Sequence, residues 1–94
     1  MSKNEVETIE KTNTETRYMP LYRVILHNDD VNTMIHVMMV LSEVFNFEHE
    51  KCIQIMEEAH NTGSAHCKTE PLEHAELHRD QLQAFSLIAT IEPE

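Results

Sequence analysis

The feature that most constrains the fold is a polar stretch, residues 27–34 (His-Asn-Asp-Asp-Val-Asn-Thr-Met), between the apolar run 21–26 and a strongly periodic segment. The apolar run predicts a β-strand buried on both faces, and the periodic segment predicts an amphipathic helix. Asn and Asp are frequent at such junctions because their side chains hydrogen-bond nearby backbone. One interpretation is a loop that caps the next helix, with Asp30 or Asn32 as N-cap. The other is a site whose carboxylates and amide bind a cation.

The composition is acidic and moderately hydrophobic. The 94 residues suffice for one small domain, and 40% hydrophobic residues support a single core. The net charge of −10 and the pI near 5.0 disfavour nucleic acid and anionic membranes as partners, because a phosphate binder needs a basic face. The sequence has no apolar run of the ~18 residues that a transmembrane helix needs, and no secretory signal at its N-terminus. We therefore expect a cytoplasmic protein.

The N-terminal residues differ in character from the rest. Residues 1–17 are polar, with Val6 and Ile9 as their sizeable apolar residues, so we expect a flexible N-terminal extension followed by one folded domain over 18–94. The extension is either only a tail or a handle for another protein. Cys52 and Cys67 lack paired metal-ligand spacing, which favours two free thiols in a reducing cytosol and leaves one disulfide open.

The pattern after residue 18 predicts the element order β-α-α-β-α-β. Three short strands and three helices indicate an α+β sandwich, with the helices on one face of a three-stranded antiparallel sheet. Gly63, the single glycine, stops the second helix, and Pro71 opens the third. The predicted elements are a strand over 21–27, helices over about 33–45 and 48–61, a strand over 65–69, a helix from 71 and a strand over 87–91.

Three helical stripes are expected to face the core. They are Met34, Val37, Met38, Leu41, Val44 and Phe45 in the first helix, Cys52, Ile53, Met56, Ala59 and His60 in the second, and Leu72, Ala75, Leu82 and Phe85 in the third.

The sequence gives little support for a catalytic or a metal-binding site. The chain has seven histidines, and His74 and His78 are spaced to face one way on a helix, but Cys67 or His66 as a third ligand has no spacing argument. Cys52 sits in an apolar stripe, where a buried and inert thiol is expected. One glycine cannot build a phosphate-binding loop. We therefore expect neither an enzyme nor a cofactor.

His60 allows two interpretations. It is either a core or rim residue of its helix, or it lies beside the 27–34 loop if the first two helices pack antiparallel. In the second case Met34, Val37 and Met56 would wall a cavity next to that loop, since methionines form adaptable apolar walls. Spacing alone does not distinguish such a cavity from plain core.

The combination of these motifs resembles the ClpS family. The matching parts are residues 24–30 (Val-Ile-Leu-His-Asn-Asp-Asp), then Met34 and Val37, then residues 54–67 (Gln-Ile-Met-Glu-Glu-Ala-His-x-x-Gly-x-Ala-x-Cys). The resemblance covers about residues 19–92. It implies a non-enzymatic adaptor that binds the free N-terminal Leu, Phe, Tyr or Trp of N-degron substrates and delivers them to a Clp ATPase and protease.

The resemblance also implies roles for individual residues. The family's gatekeeper methionine, which turns away β-branched side chains, corresponds to Met34. The implied partners are N-degron peptides and the N-terminal domain of ClpA or ClpC, and the implied state is a monomer whose extension the ATPase engages. The resemblance assigns Asn28, Asp29, Asp30 and His60 to the substrate's α-amino group, Asn32, Met34, Val37, Met56, Ala59 and Leu87 to the first-residue pocket, and Glu73 and His78 to ATPase docking.

The chain departs from the family pattern at three of these positions. Many members carry Thr where Asn32 stands, Val where Ala59 stands, and Lys where His78 stands. The C-terminal part (Ala-Glu-x-x-Arg-Asp-Gln-Leu, then Ala-Thr-Ile-Glu-Pro-Glu) is similar to the shorter ClpS-like proteins of some bacteria. Two alternatives stay open: a ClpS-like protein that docks on the ATPase and modulates or inhibits it without degron binding, and a His-rich metal-binding domain.

Overall fold

The computed structural model describes residues 19–94, so the predicted extension over 1–17 lies outside the described residues. Three helices pack on one face of a three-stranded antiparallel sheet, which confirms the predicted fold class and element order. The elements are β1 (Leu21–His27), α1 (Met34–Phe45), α2 (His49–Thr62), β2 (Ser64–Pro71), α3 (Leu72–Ala84) and β3 (Ala89–Pro93).

β1 is the central strand, with β2 on one side and β3 on the other. This position explains the apolar run: Val24 and Leu26 face the helices and join the core cluster, while Ile25 points to the opposite face, where it is also buried. The register between β1 and β2 shifts at Val24 and Ile25, which leaves Cys67 as an extra residue on β2.

The core lies between the sheet and the helices, and each of the three predicted stripes includes at least one residue that is not buried in it. In α2 the buried residues are Cys52, Ile55 and Ala59, whereas His60 is exposed and Ile53 is only partly buried. The other buried helical residues are Val40, Leu41, Ala75 and Leu82. Met34 of α1 and Phe85 after α3 are half exposed, at 55% and 43%.

The caps of the helices were predicted only in part. Thr33, and neither Asp30 nor Asn32, is the N-cap of α1: its hydroxyl accepts a hydrogen bond from the His36 backbone N–H at 3.1 Å. The Asp and Asn before it make other contacts, described below. Gly63 ends α2 as predicted, in the left-handed conformation with φ 100°.

The last strand begins at Ala89 and not at the predicted Leu87, because the residues before it belong to the end of α3. The Leu87 backbone N–H donates to the Leu82 carbonyl at 3.0 Å, and Ser86 before it has φ 73°. These contacts close the C-terminus of α3, so Leu87 belongs to the helix end and not to the sheet ladder.

Cys52 and Cys67 are both free, as predicted. Cys52 is also buried as predicted, and Cys67, for which no burial was predicted, is buried as well. Burial raises the pKa of the Cys52 thiol, and it raises that of Cys67 to about 12. Both therefore act as small apolar core residues. Among the helices of residues 19–94, none is long and apolar enough to cross a membrane.

Candidate functional site

A cavity of about 170 Å³ opens where β1 ends, between the N-terminus of α1 and the C-terminal half of α2. The structure brings to this cavity every residue that the resemblance assigned to the α-amino group and to the pocket. They are Asn28, Asp29, Asp30, His60, Asn32, Met34, Val37, Met56, Ala59 and Leu87, and Leu26 and His27, which the sequence did not assign, complete the lining.

Asp29 organises the polar side of the cavity. Its Oδ1 accepts hydrogen bonds from the backbone N–H groups of Val31 at 2.7 Å and Asn32 at 2.8 Å, and its Oδ2 accepts one from Asn32 Nδ2 at 2.8 Å. The backbone hydrogen bond from Asn32 is the main cause that lowers the pKa of Asp29, against a smaller opposing effect of burial. Asp29 is therefore ionised at neutral pH, and Oδ2 keeps one acceptor position for a ligand.

The other polar groups of the rim are open to solvent. Asn28, Asp30 and His60 are exposed, and their side chains make no hydrogen bond with any residue from 19 to 94. The Asn28 backbone N–H donates to the Gly63 carbonyl at 3.0 Å, which holds the exit of β1 against the end of α2 and brings His60 to the loop. The C-terminus of α2 adds a partial negative charge to the two carboxylates. The rim is thus suited to a cation with hydrogens to donate.

Apolar side chains form the interior of the cavity. Ala59 and Leu87 are buried, at 4% exposure each, and Val37 and Met56 are partly buried. Met34 stands more exposed, on the first turn of α1. An engineered apolar cavity of ~150 Å³ holds benzene, so this interior has room for one large apolar side chain.

A pair of contacts that the sequence did not reveal joins this site to the turn after α3. Asn32 Nδ2 donates to the Ser86 carbonyl at 2.8 Å, and His36 Nε2 lies 2.8 Å from the Phe85 carbonyl oxygen. The only signal in the sequence is that the two donors are four residues apart, which places them on the same side of the start of α1.

The two residues assigned to ATPase docking lie on α3, away from the cavity. Glu73 is exposed in the first turn of the helix. The His78 side chain is 17% exposed, with Nδ1 at 2.5 Å from the buried Glu70 carboxylate and its ring against Phe45. Their docking role stays a prediction. Within residues 19–94 no three His, Cys, Asp or Glu side chains come together in a way that could hold a metal ion, and His74 lies outside any such group.

The comparison with protein families agrees with this geometry. The model of the family described as "ATP-dependent Clp protease adaptor protein ClpS" matches residues 17–90, which include the whole cavity lining. The chain belongs to the ClpS family. The resemblance inferred from the sequence is therefore confirmed.

Individual ClpS relatives align over nearly their whole length. The ATP-dependent Clp protease adapter protein ClpS of Synechococcus elongatus is 42% identical over 92 residues, covering 95% of this chain and 97% of the relative. The ClpS of Gloeobacter violaceus is 40% identical over 89 residues, covering 94% and 96%.

A solved structure of the family carries a ligand. Agrobacterium tumefaciens ClpS2 bound to L-phenylalaninamide superposes with a TM-score of 0.75 and 32% identity, covering 81% of this chain and 99% of that one. L-Phenylalaninamide has a free α-amino group and one aromatic side chain. The ClpS fold of this chain is the fold of a protein that binds such a molecule.

Proposed function

We propose that this ClpS-family protein is an adaptor that binds the free N-terminal residue of N-degron substrates and delivers them to a Clp ATPase and protease. The first residues bound are Leu, Phe, Tyr and Trp. The observation that carries the proposal is a single cavity with an acidic, hydrogen-bond-accepting rim and an apolar interior. The ligand of Agrobacterium tumefaciens ClpS2, which joins an α-amine to an aromatic ring, supports it.

The rim supplies the recognition of the amine. A free α-amino group has a pKa of ~7.7–8.0 and is mostly a cation at neutral pH. The open acceptor position on Asp29 Oδ2, the Asn28 amide oxygen and the Asp30 carboxylate are available to it, with His60 as a further acceptor through a neutral ring nitrogen. Each charge-assisted hydrogen bond contributes ~1.5–3 kcal/mol. An acetylated or internal amide lacks this charge and leaves the acceptors without donors.

The interior supplies the selection of the side chain. Burying a Leu- or Phe-sized side chain contributes ~1.5–3 kcal/mol. Met34 at the mouth is the gate that turns away β-branched residues, and the small Ala59 side chain leaves the interior wide. Val37, Met56 and Leu87 provide the remaining walls.

Delivery requires a second surface. The proposal assigns it to the exposed α3 surface around Glu73, with His78 beside it, which docks on the N-terminal domain of ClpA or ClpC. Residues 1–17 serve as the extension that the ATPase engages, and residues 18–94 as the adaptor domain. In this proposal the protein acts in the cytoplasm as a monomer and catalyses no reaction itself.

Fluorescence anisotropy with matched peptides tests the proposal. The peptides differ only in the first residue: Leu, Phe, N-acetylated Phe and Val. We expect binding of free Leu and Phe, loss on acetylation, and rejection of Val. Asp30→Asn should weaken binding, whereas Asp80→Asn, an equal loss of charge on exposed α3, should leave it unchanged. Failure of the wild-type protein to bind any peptide would overturn the proposal in favour of a protein that only docks on the ATPase.

A further inference from the structure

The turn between α3 and β3 is held by polar contacts from the start of α1. Asn32 Nδ2 donates one hydrogen to Asp29 Oδ2 and the other to the Ser86 carbonyl, both at 2.8 Å. His36 Nε2 lies 2.8 Å from the Phe85 carbonyl oxygen. Because a carbonyl oxygen can only accept, the His36 Nε2 carries the proton in this contact. We call these two contacts the α1 brace.

Backbone hydrogen bonds close the turn from within: the N–H groups of Phe85 and Leu87 donate to the Leu82 carbonyl at 3.1 and 3.0 Å, and the His27 N–H donates to the Ile88 carbonyl at 2.9 Å. The carbonyls of Phe85 and Ser86 accept instead from the α1 brace. The side chains of Phe85 and Ile88 are 43% and 50% exposed, so they contribute little packing. Ser86 adopts φ 73°, a conformation that residues other than Gly, Asn and Asp seldom adopt and that neighbouring contacts must maintain.

The residue after the turn is part of the cavity. Leu87 is 4% exposed and forms one wall of the interior. It follows Ser86 directly, so a movement of the turn moves this wall. His36, in contrast, is not among the residues that line the cavity.

We propose that His36 is a positioning residue for the first-residue pocket: through the Phe85 carbonyl it fixes the turn that sets the place of Leu87. Asn32 does the same through Ser86 and also belongs to the rim. This inference rests on the proposed function, because it concerns the selection of the side chain by the same cavity. His36 makes no hydrogen bond to Asn28, Asp29, Asp30 or His60, and its influence on the amine rim is a Coulombic effect on Asp29, the smallest of the causes that shift the pKa of that carboxyl.

The test uses two substitutions of His36 and a matched control. His36→Gln keeps an N–H donor at a reach similar to that of Nε2, and His36→Leu removes it. His74→Leu removes an exposed histidine from α3 and serves as the control. Anisotropy is measured with peptides that begin with Phe, Leu or Ala, where Ala reports the amine rim almost alone.

We expect His36→Leu to weaken the binding of Phe- and Leu-first peptides about three- to tenfold, with little change for Ala-first peptides. His36→Gln should restore affinity to within about twofold, and His74→Leu should match wild type. Amide hydrogen exchange of Leu87, whose N–H donates to Leu82, should accelerate in His36→Leu and not in His36→Gln.

The outcomes separate this inference from the proposed function. Wild-type affinity and unchanged Leu87 exchange in His36→Leu would overturn the positioning role and leave the adaptor proposal intact. An equal loss for Phe-, Leu- and Ala-first peptides would also overturn it, because a general loss of structure does not select side chains. Absence of peptide binding by the wild-type protein would overturn both.

Discussion

His78 Nδ1 lies 2.5 Å from Oε2 of Glu70, the one buried charged side chain in the part of the chain that the structure describes. The imidazole also packs against the ring of Phe45, with 4.8 Å between centroids. His78 thereby ties α3 to β2 and to the end of α1. On the other oxygen of the same carboxylate, Lys68 Nζ lies 3.9 Å from Oε1.

His78→Ala should therefore lower the free energy of unfolding by about 1–3 kcal/mol, because a buried carboxylate loses its short hydrogen bond. Urea unfolding measures this, with His74→Ala, one turn earlier and exposed, as a control that changes stability by less than about 0.5 kcal/mol. Equal stability of the two variants would contradict the structural role of His78.

Glu73→Ala should weaken binding to the ATPase domain without a loss of stability, which separates docking from folding.

Asp29 gives the protein an acid-sensitive loop. Its pKa is held below the ordinary value of 3.8, so its contribution to stability is complete above that pH and is lost as the pH falls through the lower value of the folded state. Asp29→Asn cannot accept from Asn32 Nδ2 at the former Oδ2. The stability difference between wild type and Asp29→Asn should be largest at neutral pH and shrink below about pH 4. Urea unfolding at several pH values measures it, and the same trend in Asp30→Asn would contradict the assignment to the loop hydrogen bonds.

Met34 should act as a gate with little structural role. It is 55% exposed, so Met34→Ala should change the free energy of unfolding by less than about 0.5 kcal/mol. Relief of crowding at the cavity mouth should raise the affinity for Val- and Ile-first peptides by about tenfold or more. Met39→Ala, on the same helix, 65% exposed and outside the cavity, is the matched control. Continued exclusion of Val-first peptides by Met34→Ala would remove Met34 from the gate.

Cys67 should resist alkylation in the native state. With its pKa raised to about 12, its thiolate fraction at pH 8 is roughly a thousandfold below that of an unperturbed thiol. Iodoacetamide labelling followed by mass spectrometry, in buffer and in urea, should show fast labelling only after unfolding. Rapid native labelling at Cys67 would indicate that β2 opens locally.

Much of the fold followed from local patterns. β1 was predicted at its observed bounds because an apolar run followed by Asn-Asp-Asp indicates both the strand and its end. The end of α2 was predicted from Gly63, which adopts the left-handed conformation there. The faces of the helices were less certain. Ile55 and not Ile53 is buried, because the direction of a helix relative to the sheet depends on tertiary packing that periodicity does not fix. The N-cap was misplaced because Asp29 accepts from the backbone N–H groups before the helix, leaving Thr33 to cap it.

The residues alone left the site open between two interpretations: His60 and the 27–34 loop share a cavity, or they are a core residue and a helix cap. The resemblance to the family favoured the cavity, because residues 28–30 and His60 are far apart in sequence and helical spacing does not fix how the helices pack. His36 and Ser86 escaped prediction for a different reason. A hydrogen bond from a side chain to a distant backbone carbonyl depends on no residue type at the accepting position, so the sequence shows only the four-residue spacing of the two donors and nothing of the acceptors.

The hydrogen bond from Asn28 N–H to the Gly63 carbonyl has a consequence beyond geometry. It joins the exit of the first strand to the end of the second helix, so the rim and the interior exist together only after most of the chain has folded. In the proposed function, an adaptor that unfolds loses the cavity and therefore releases its bound substrate. An unfolded adaptor molecule therefore cannot deliver substrates, and in the proposed function only folded molecules bring them to the protease.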